Sequence, residues 1–239
     1  MKKYIYGTRN GITIFDLGKT MRQLAVACDF LTKTASEGGQ ILFVGAKRQA
    51  QEIVRGAAES VGMPYMCDRW LGGTLTNAKV VQTRVAAMKK LRTQSQDGSF
   101  DKMPKKVVAG LKRELNKLET ALGGIADMPG LPAAVVIIDV DREHIAVQEA
   151  IKLQIPVVAL VDSNCDPDGI DYVVPGNDDA LRAIKVIVAA LQDAVQEGRN
   201  MAGKKKAAAQ AAEAEAAAAR DDKASEEAAA EAPAEEAKA

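Results

Sequence analysis

Apolar residues at Met21, Leu24, Cys28 and Leu31 step by three and four between Asp16 and the "EGG" stop, which predicts a helix over that interval. The run "ILFVG" that follows is apolar without alternation and ends in glycine, so it reads as a strand buried on both faces. "PYMC" (64–67), "AAVVIIDV" (133–140), "PVVALV" (156–161) and "YVV" (172–174) read the same way. Helical patterns lie between them, Lys47 to Val61 and Glu143 to Leu153, and a last stripe follows: Leu181, Ile184, Val188, Leu191 and Val195. Strands apolar on both faces that alternate with helices predict an α/β fold: a five-stranded parallel sheet with helices on both faces.

One interval is too long for an ordinary crossover. Val81, Val85, Met88 and Leu91 form one stripe, and Val108, Leu111, Leu115, Leu118 and Leu122 form another. "QDGSFDKMP" between them supplies Gly98 and Pro104, so the two helices fold back as an antiparallel arm. The expected organisation is an α/β core over 1–77 and 121–199, an inserted helical hairpin over 78–120 and a tail over 200–239. The tail is Ala, Glu and Lys with no large apolar residue beyond Met201, too little apolar surface to offset the entropy of ordering, and it is expected to be disordered.

The formal net charge is zero, but its distribution is uneven. From Ala207 onward nine acidic residues face three basic ones, which leaves the body basic. Lys79 to Thr120 holds eleven Lys or Arg against four Asp or Glu, and the first nine residues add Lys2, Lys3 and Arg9 with no acid. Clustering of this kind is the footprint of a polyanion partner, the alternative being a solvated helix face. With four Phe, four Tyr and one Trp scattered through core-like segments, the chain lacks the stacking platform of a single-strand binder. Phosphates of structured RNA need only cations on a rigid scaffold.

Other chemistries find little support. Cys28, Cys67 and Cys165 are odd in number and widely spaced, which fits buried thiols in a reducing, cytoplasmic compartment better than disulfides. No apolar run reaches the length of a membrane span. Neither G-x-G-x-x-G nor a Walker loop occurs, so a nucleotide- or sugar-phosphate-binding enzyme, the alternative reading, rests on topology alone. Asp139, Asp141 and Asp162 at strand ends could hold a metal but fit turn and helix caps better. "NCDPDG" fails as a calcium loop because Pro175 falls where the bidentate Glu is required. His144 is the single histidine, and nothing marks it and Cys165 as an activated pair. No catalytic residue, metal, cofactor or small-molecule substrate is expected. A helical-arm adaptor that binds only proteins is a third reading.

Two stretches remain as candidate sites. "GAKRQA" puts Lys47 and Arg48 on an exposed turn at a helix N-terminus, where phosphate is favoured. "CDRWLGGTLTN" reads as an elbow: Gly72 and Gly73 permit a sharp turn, Thr74 or Thr76 caps the next helix, and Trp70 anchors the bend. Arg69 is then either available to phosphate or bound in a salt bridge.

Six landmarks in order, "YIYGTRNGITIFDL", "ILFVGAKRQA", "DRWLGGTLTN", "LGGIADMPGLP", "IDVDREHIAVQEA" and "DSNCDPDGIDYVVPGNDDA", resemble the bacterial small-subunit ribosomal protein family numbered two. The resemblance runs from about Lys2 to Arg199. It implies a flavodoxin-like sheet with a protruding helical hairpin, docked between head and body of the subunit. The implied role is structural, without catalysis: binding small-subunit ribosomal RNA, contacting neighbouring ribosomal proteins and helping to recruit the mRNA-binding ribosomal protein numbered one. The expected RNA contacts are Lys2, Lys3, Arg9, Lys47, Arg48, Arg69, Lys79, Arg84, Lys89, Lys90, Arg92, Lys105 and Lys106. Two departures stand out. Relatives usually begin further upstream, with Gly-His-Gln-Thr and Arg-Trp-Asn-Pro segments, which implies an internal Met taken as the start or a lost piece. Asp68 also stands where many relatives have His, placing a negative charge beside Arg69.

Overall fold

The structure is a computed structural model that describes residues 1–230, without the side chains of 101–102 and 206–230. The chain opens with two elements that the patterns above do not include, strands β1 (Ile5–Arg9) and β2 (Ile12–Phe15), paired antiparallel. Asn10 and Gly11 join them with φ of 52° and 78°, the two left-handed residues that a tight hairpin turn requires. The hairpin is tied down where Asp16 N–H donates to Tyr4 O at 3.0 Å and Lys19 Nζ to Lys3 O at 2.6 Å.

Helix α1 (Leu17–Ser36) starts at Asp16, whose Oδ1 accepts from Lys19 N at 3.2 Å. After it come β3 (Ile41–Val44), α2 (Gln51–Ser60) and β4 (Tyr65–Met66). The arm follows, α3 (Ala78–Gln96) and α4 (Lys105–Leu122), then β5 (Ala134–Ile138), α5 (His144–Lys152), β6 (Val157–Val161), β7 (Tyr172–Pro175) and α6 (Leu181–Ala230). The five expected strands form one parallel sheet in the order β4-β3-β5-β6-β7. That is the doubly wound order in which the chain steps from β3 to one side, then crosses to the other.

Alternation along each strand feeds two cores. Ile41 and Phe43 of β3, Val136 and Ile138 of β5, and Val158 and Leu160 of β6 pack with Leu31 of α1, Val54 of α2 and Leu191 of α6. Leu42, Val44, Val135, Ile137 and Val157 face the other way, toward Val147 of α5 and toward Trp70, Leu75, Met88 and Leu122 at the root of the arm. The strands are buried on both sides because each side is roofed by helices.

The arm folds back as expected. Arg92 Nε meets Glu119 Oε1 at 2.8 Å while the earlier Lys89 meets the later Asp127 at 2.9 Å, an antiparallel order. Val81 and Val85 rest against the body beside Ile125 and Ala126, so the first turns of α3 lie on the core and the remainder pairs with α4. At the other end α6 continues beyond Arg199 as helical backbone to Ala230, in keeping with the helix propensity of Ala, Glu and Lys. Residues 231–239 of the expected tail lie outside the described residues.

Candidate nucleic-acid interface

The elbow is built around a residue that no pattern flagged. Glu149, on the inward face of α5, is 7% exposed and its carboxylate collects donors from the whole bend. Oε1 accepts from Trp70 Nε1 at 3.1 Å and Gly73 N at 2.7 Å; Oε2 accepts from Leu75 N and Thr76 N at 3.0 Å and from Thr76 Oγ1 at 3.1 Å. Burial alone would raise its pKa, but these hydrogen bonds to the charged form win and lower it. Gly73 sits at φ 89°, the left-handed turn expected of the glycine pair, and Trp70 is buried as an anchor.

The threonines differ from expectation. Asn77, not a threonine, occupies the cap of α3 and makes no side-chain cap bond. Thr76 donates its hydroxyl to Glu149 and Thr74 donates its hydroxyl to the Leu71 carbonyl, so both are engaged within the bend and not at the start of α3. Asp68, not Arg69, is the ion-paired member of the elbow, at 3.6 Å from Arg55. Arg69 is exposed and makes no ion pair among the described residues.

Lys47 also differs. Helix α2 begins at Gln51, and Lys47 lies in the turn before it, its carbonyl accepting from Ala50 and Gln51. Its side chain is only 12% exposed, and the ammonium lies 2.6 Å from Asp178, 2.6 Å from Asp179 and 3.3 Å from Asp139. Burial works against the charge, yet the hydrogen bonds to Asp178 and Asp179 outweigh it and raise the lysine's pKa. Burial and the neighbouring Asp139 also raise Asp178, although Lys47 pulls the other way. A cation neutralised by three carboxylates is not free for phosphate, so Lys47 holds the sheet edge together. Reversing its charge would set a fourth carboxylate among three and destabilise the body, contrary to the expectation of an exposed turn. Asp139 also caps its own turn by accepting from Arg142 N at 3.1 Å, whereas Asp162 accepts from Asp178 N at 3.2 Å and so ties the loop after β6 to the loop after β7.

Lys2 and Lys3 lie in the short 3-10 turn before β1, Lys3 over the Tyr4 ring at 5.0 Å, and Arg9 closes β1. Arg48, Lys79, Arg84, Lys90, Lys105 and Lys106 are exposed and carry no ion pair among the described residues. Lys89 and Arg92 are exposed but paired, as given above. Lys79 and Lys90, about three turns apart on α3, share the face turned away from Met88. Lys112, Arg113 and Lys117 on α4 are exposed as well, and the charge count over 79–120 already contained them.

The thiols show no activation. Burial pushes Cys67 up to about 12 and raises Cys165 and Cys28. His144 Nδ1 lies 3.1 Å from the Asp141 carbonyl. Among the described residues no helix is long and apolar enough to cross a membrane.

Fold and surface together define a class: a doubly wound α/β protein whose sheet-edge lysine is internally neutralised and whose free positive charge is displayed on a helical arm. Residues 1–198 match the family described as Ribosomal protein S2, and the chain belongs to that family. It is accordingly a structural protein of the small ribosomal subunit, as the resemblance implied.

Proposed function

We propose that the protein binds small-subunit ribosomal RNA through the exposed cations of the arm, the N-terminal turn and the sheet edge, and that it helps hold the mRNA-binding ribosomal protein numbered one. The observation that carries the RNA reading is the division between spent and unspent charge. Lys47, Lys89 and Arg92 are satisfied internally, whereas Arg48, Arg69, Lys79, Arg84, Lys90, Lys105 and Lys106 have no carboxylate partner among the described residues. Phosphate supplies the missing counter-charge without demanding a base-specific pocket.

Protein contacts have a separate support. Tyr6, Ile12, Leu17 and Met21 are 81%, 69%, 72% and 72% exposed close together in sequence, apolar surface suited to a neighbouring ribosomal protein. The sugar-phosphate enzyme alternative loses its leading cation, since Lys47 is already bound by Asp139, Asp178 and Asp179.

The RNA reading is tested by measuring affinity for small-subunit ribosomal RNA as salt rises. Six or more phosphate contacts predict a fall of about a thousandfold between roughly 50 and 200 mM salt. A flat response would refute the phosphate footprint.

A further inference from the structure

A cleft of about 420 Å³ opens at the carboxyl edge of the sheet, lined by Ala46 after β3, Arg69 and Trp70 after β4, and Arg142, Glu143 and Ile145 after β5. The strand order places it where the chain leaves β3 for β4 on one side and β5 on the other, the position at which doubly wound sheets take ligands. At its wall stands Glu143, 2% exposed. Its one side-chain hydrogen bond among the described residues is from Ala46 N to Oε1 at 3.3 Å, and it forms no ion pair. No fully occluded side-chain oxygen among the described residues lacks a partner, so the unbonded Oε2 retains some exposure, and Glu143 lines the cleft. A nearly buried carboxylate with one free oxygen asks for a donor. Arg69 and Arg142 on the same lining favour an anionic ligand over a cationic donor, while Asp68 on the rim is tied to Arg55.

A ligand that is anionic overall yet presents N–H donors satisfies both requirements. Guanine alone among the RNA bases sets two adjacent donors, N1–H and the N2 amino group, along its pairing edge; its O6 and the attached phosphate are acceptors suited to Arg69 and Arg142. We propose that this cleft receives the guanine base of an RNA nucleotide turned out of its stack, with Glu143 accepting from the N1 and N2 donors through Oε2 and the second lone pair of Oε1, and the two arginines holding O6 or phosphate. The inference deepens the RNA-binding reading and rests on it. It gives that reading one base-specific contact within an otherwise phosphate-directed surface.

The single tryptophan lines the cleft and serves as the reporter. The full chain is titrated with GMP and with AMP, following Trp70 emission and, independently, equilibrium dialysis of the nucleotide. GMP should bind saturably and about tenfold or more tightly than AMP, whose edge opposes an acceptor to the carboxylate. Glu143→Gln, which can still accept from Ala46 N, should remove that preference at unchanged melting temperature. In a second arm, RNA hairpins carrying one bulged G or one bulged A are compared at fixed salt, and the bulged G should bind more tightly by a similar factor. Equal binding of AMP and GMP would point to their shared ribose phosphate and overturn the guanine assignment. GMP binding without preference for the bulged-G RNA would overturn RNA as the source in favour of a free nucleotide. No binding of either nucleotide by dialysis, alongside salt-dependent RNA affinity, would overturn the cleft proposal and leave the RNA reading standing.

Discussion

Two charged side chains, Glu149 and Lys47, decide the local architecture, and both act inward. Glu149 closes the elbow by accepting from three backbone N–H groups, an indole and a hydroxyl. Glu149→Gln replaces one acceptor oxygen with a donor that faces other donors, so unfolding at neutral pH should be easier by about 3 kcal/mol. The folded pKa of Glu149 lies below its ordinary 4.5, so its stabilisation is present above that value and is lost as pH falls through the folded pKa. The gap in melting temperature between wild type and variant should therefore narrow below about pH 4.5. A gap that is constant from pH 7 to pH 3 would contradict the assignment. The sequence made Trp70 and Gly73 legible, because a lone tryptophan and a glycine pair have few other uses. Glu149 was hidden because a Glu inside a helix usually points to water, and only the tertiary fold turns that face toward the elbow. Lys47 was misplaced for the related reason that its three partners lie on loops far away in sequence, after β5 and β7.

At the scale of elements, α1 and α6 pack closely through small residues. Thr32 Oγ1 donates to Ala194 O at 3.0 Å, Cys28 Sγ lies 3.6 Å from Ala190 O, and a Cβ placed on Gly198 would fall 2.4 Å from Thr32 O. Gly198→Ala should force the helices apart, at a net cost of about 1–2 kcal/mol even after the gain in helix propensity. Gly110→Ala in α4, where nothing lies within 4 Å, isolates the propensity term and should raise the melting temperature slightly. If both variants were stabilised, the close approach would be wrong. The five strands and the arm could be read in advance because continuous apolar runs and three-four stripes admit few alternatives. The β1–β2 hairpin escaped that reading since its outward residues Tyr6, Ile12 and Ile14 are apolar and exposed, which blurs the alternation. Asn10-Gly11 was the available signal.

Across the whole molecule, charge is segregated along the chain. The sheet neutralises its own edge lysine, the acidic stretch follows the core, and the free cations are carried on the arm and the N-terminal turn. This segregation is why a chain of zero formal charge can still present a polyanion footprint. The most direct test reverses Arg84, Lys90, Lys105 and Lys106 to Glu together and measures occupancy on purified small subunits by sedimentation at fixed salt. All four are exposed and outside the core, so the melting temperature should stay within a few degrees of wild type. Occupancy should fall by about tenfold or more, since four attractive phosphate contacts become repulsive. Wild-type occupancy from a folded variant would contradict the claim that the arm holds the protein to the small subunit through its charge.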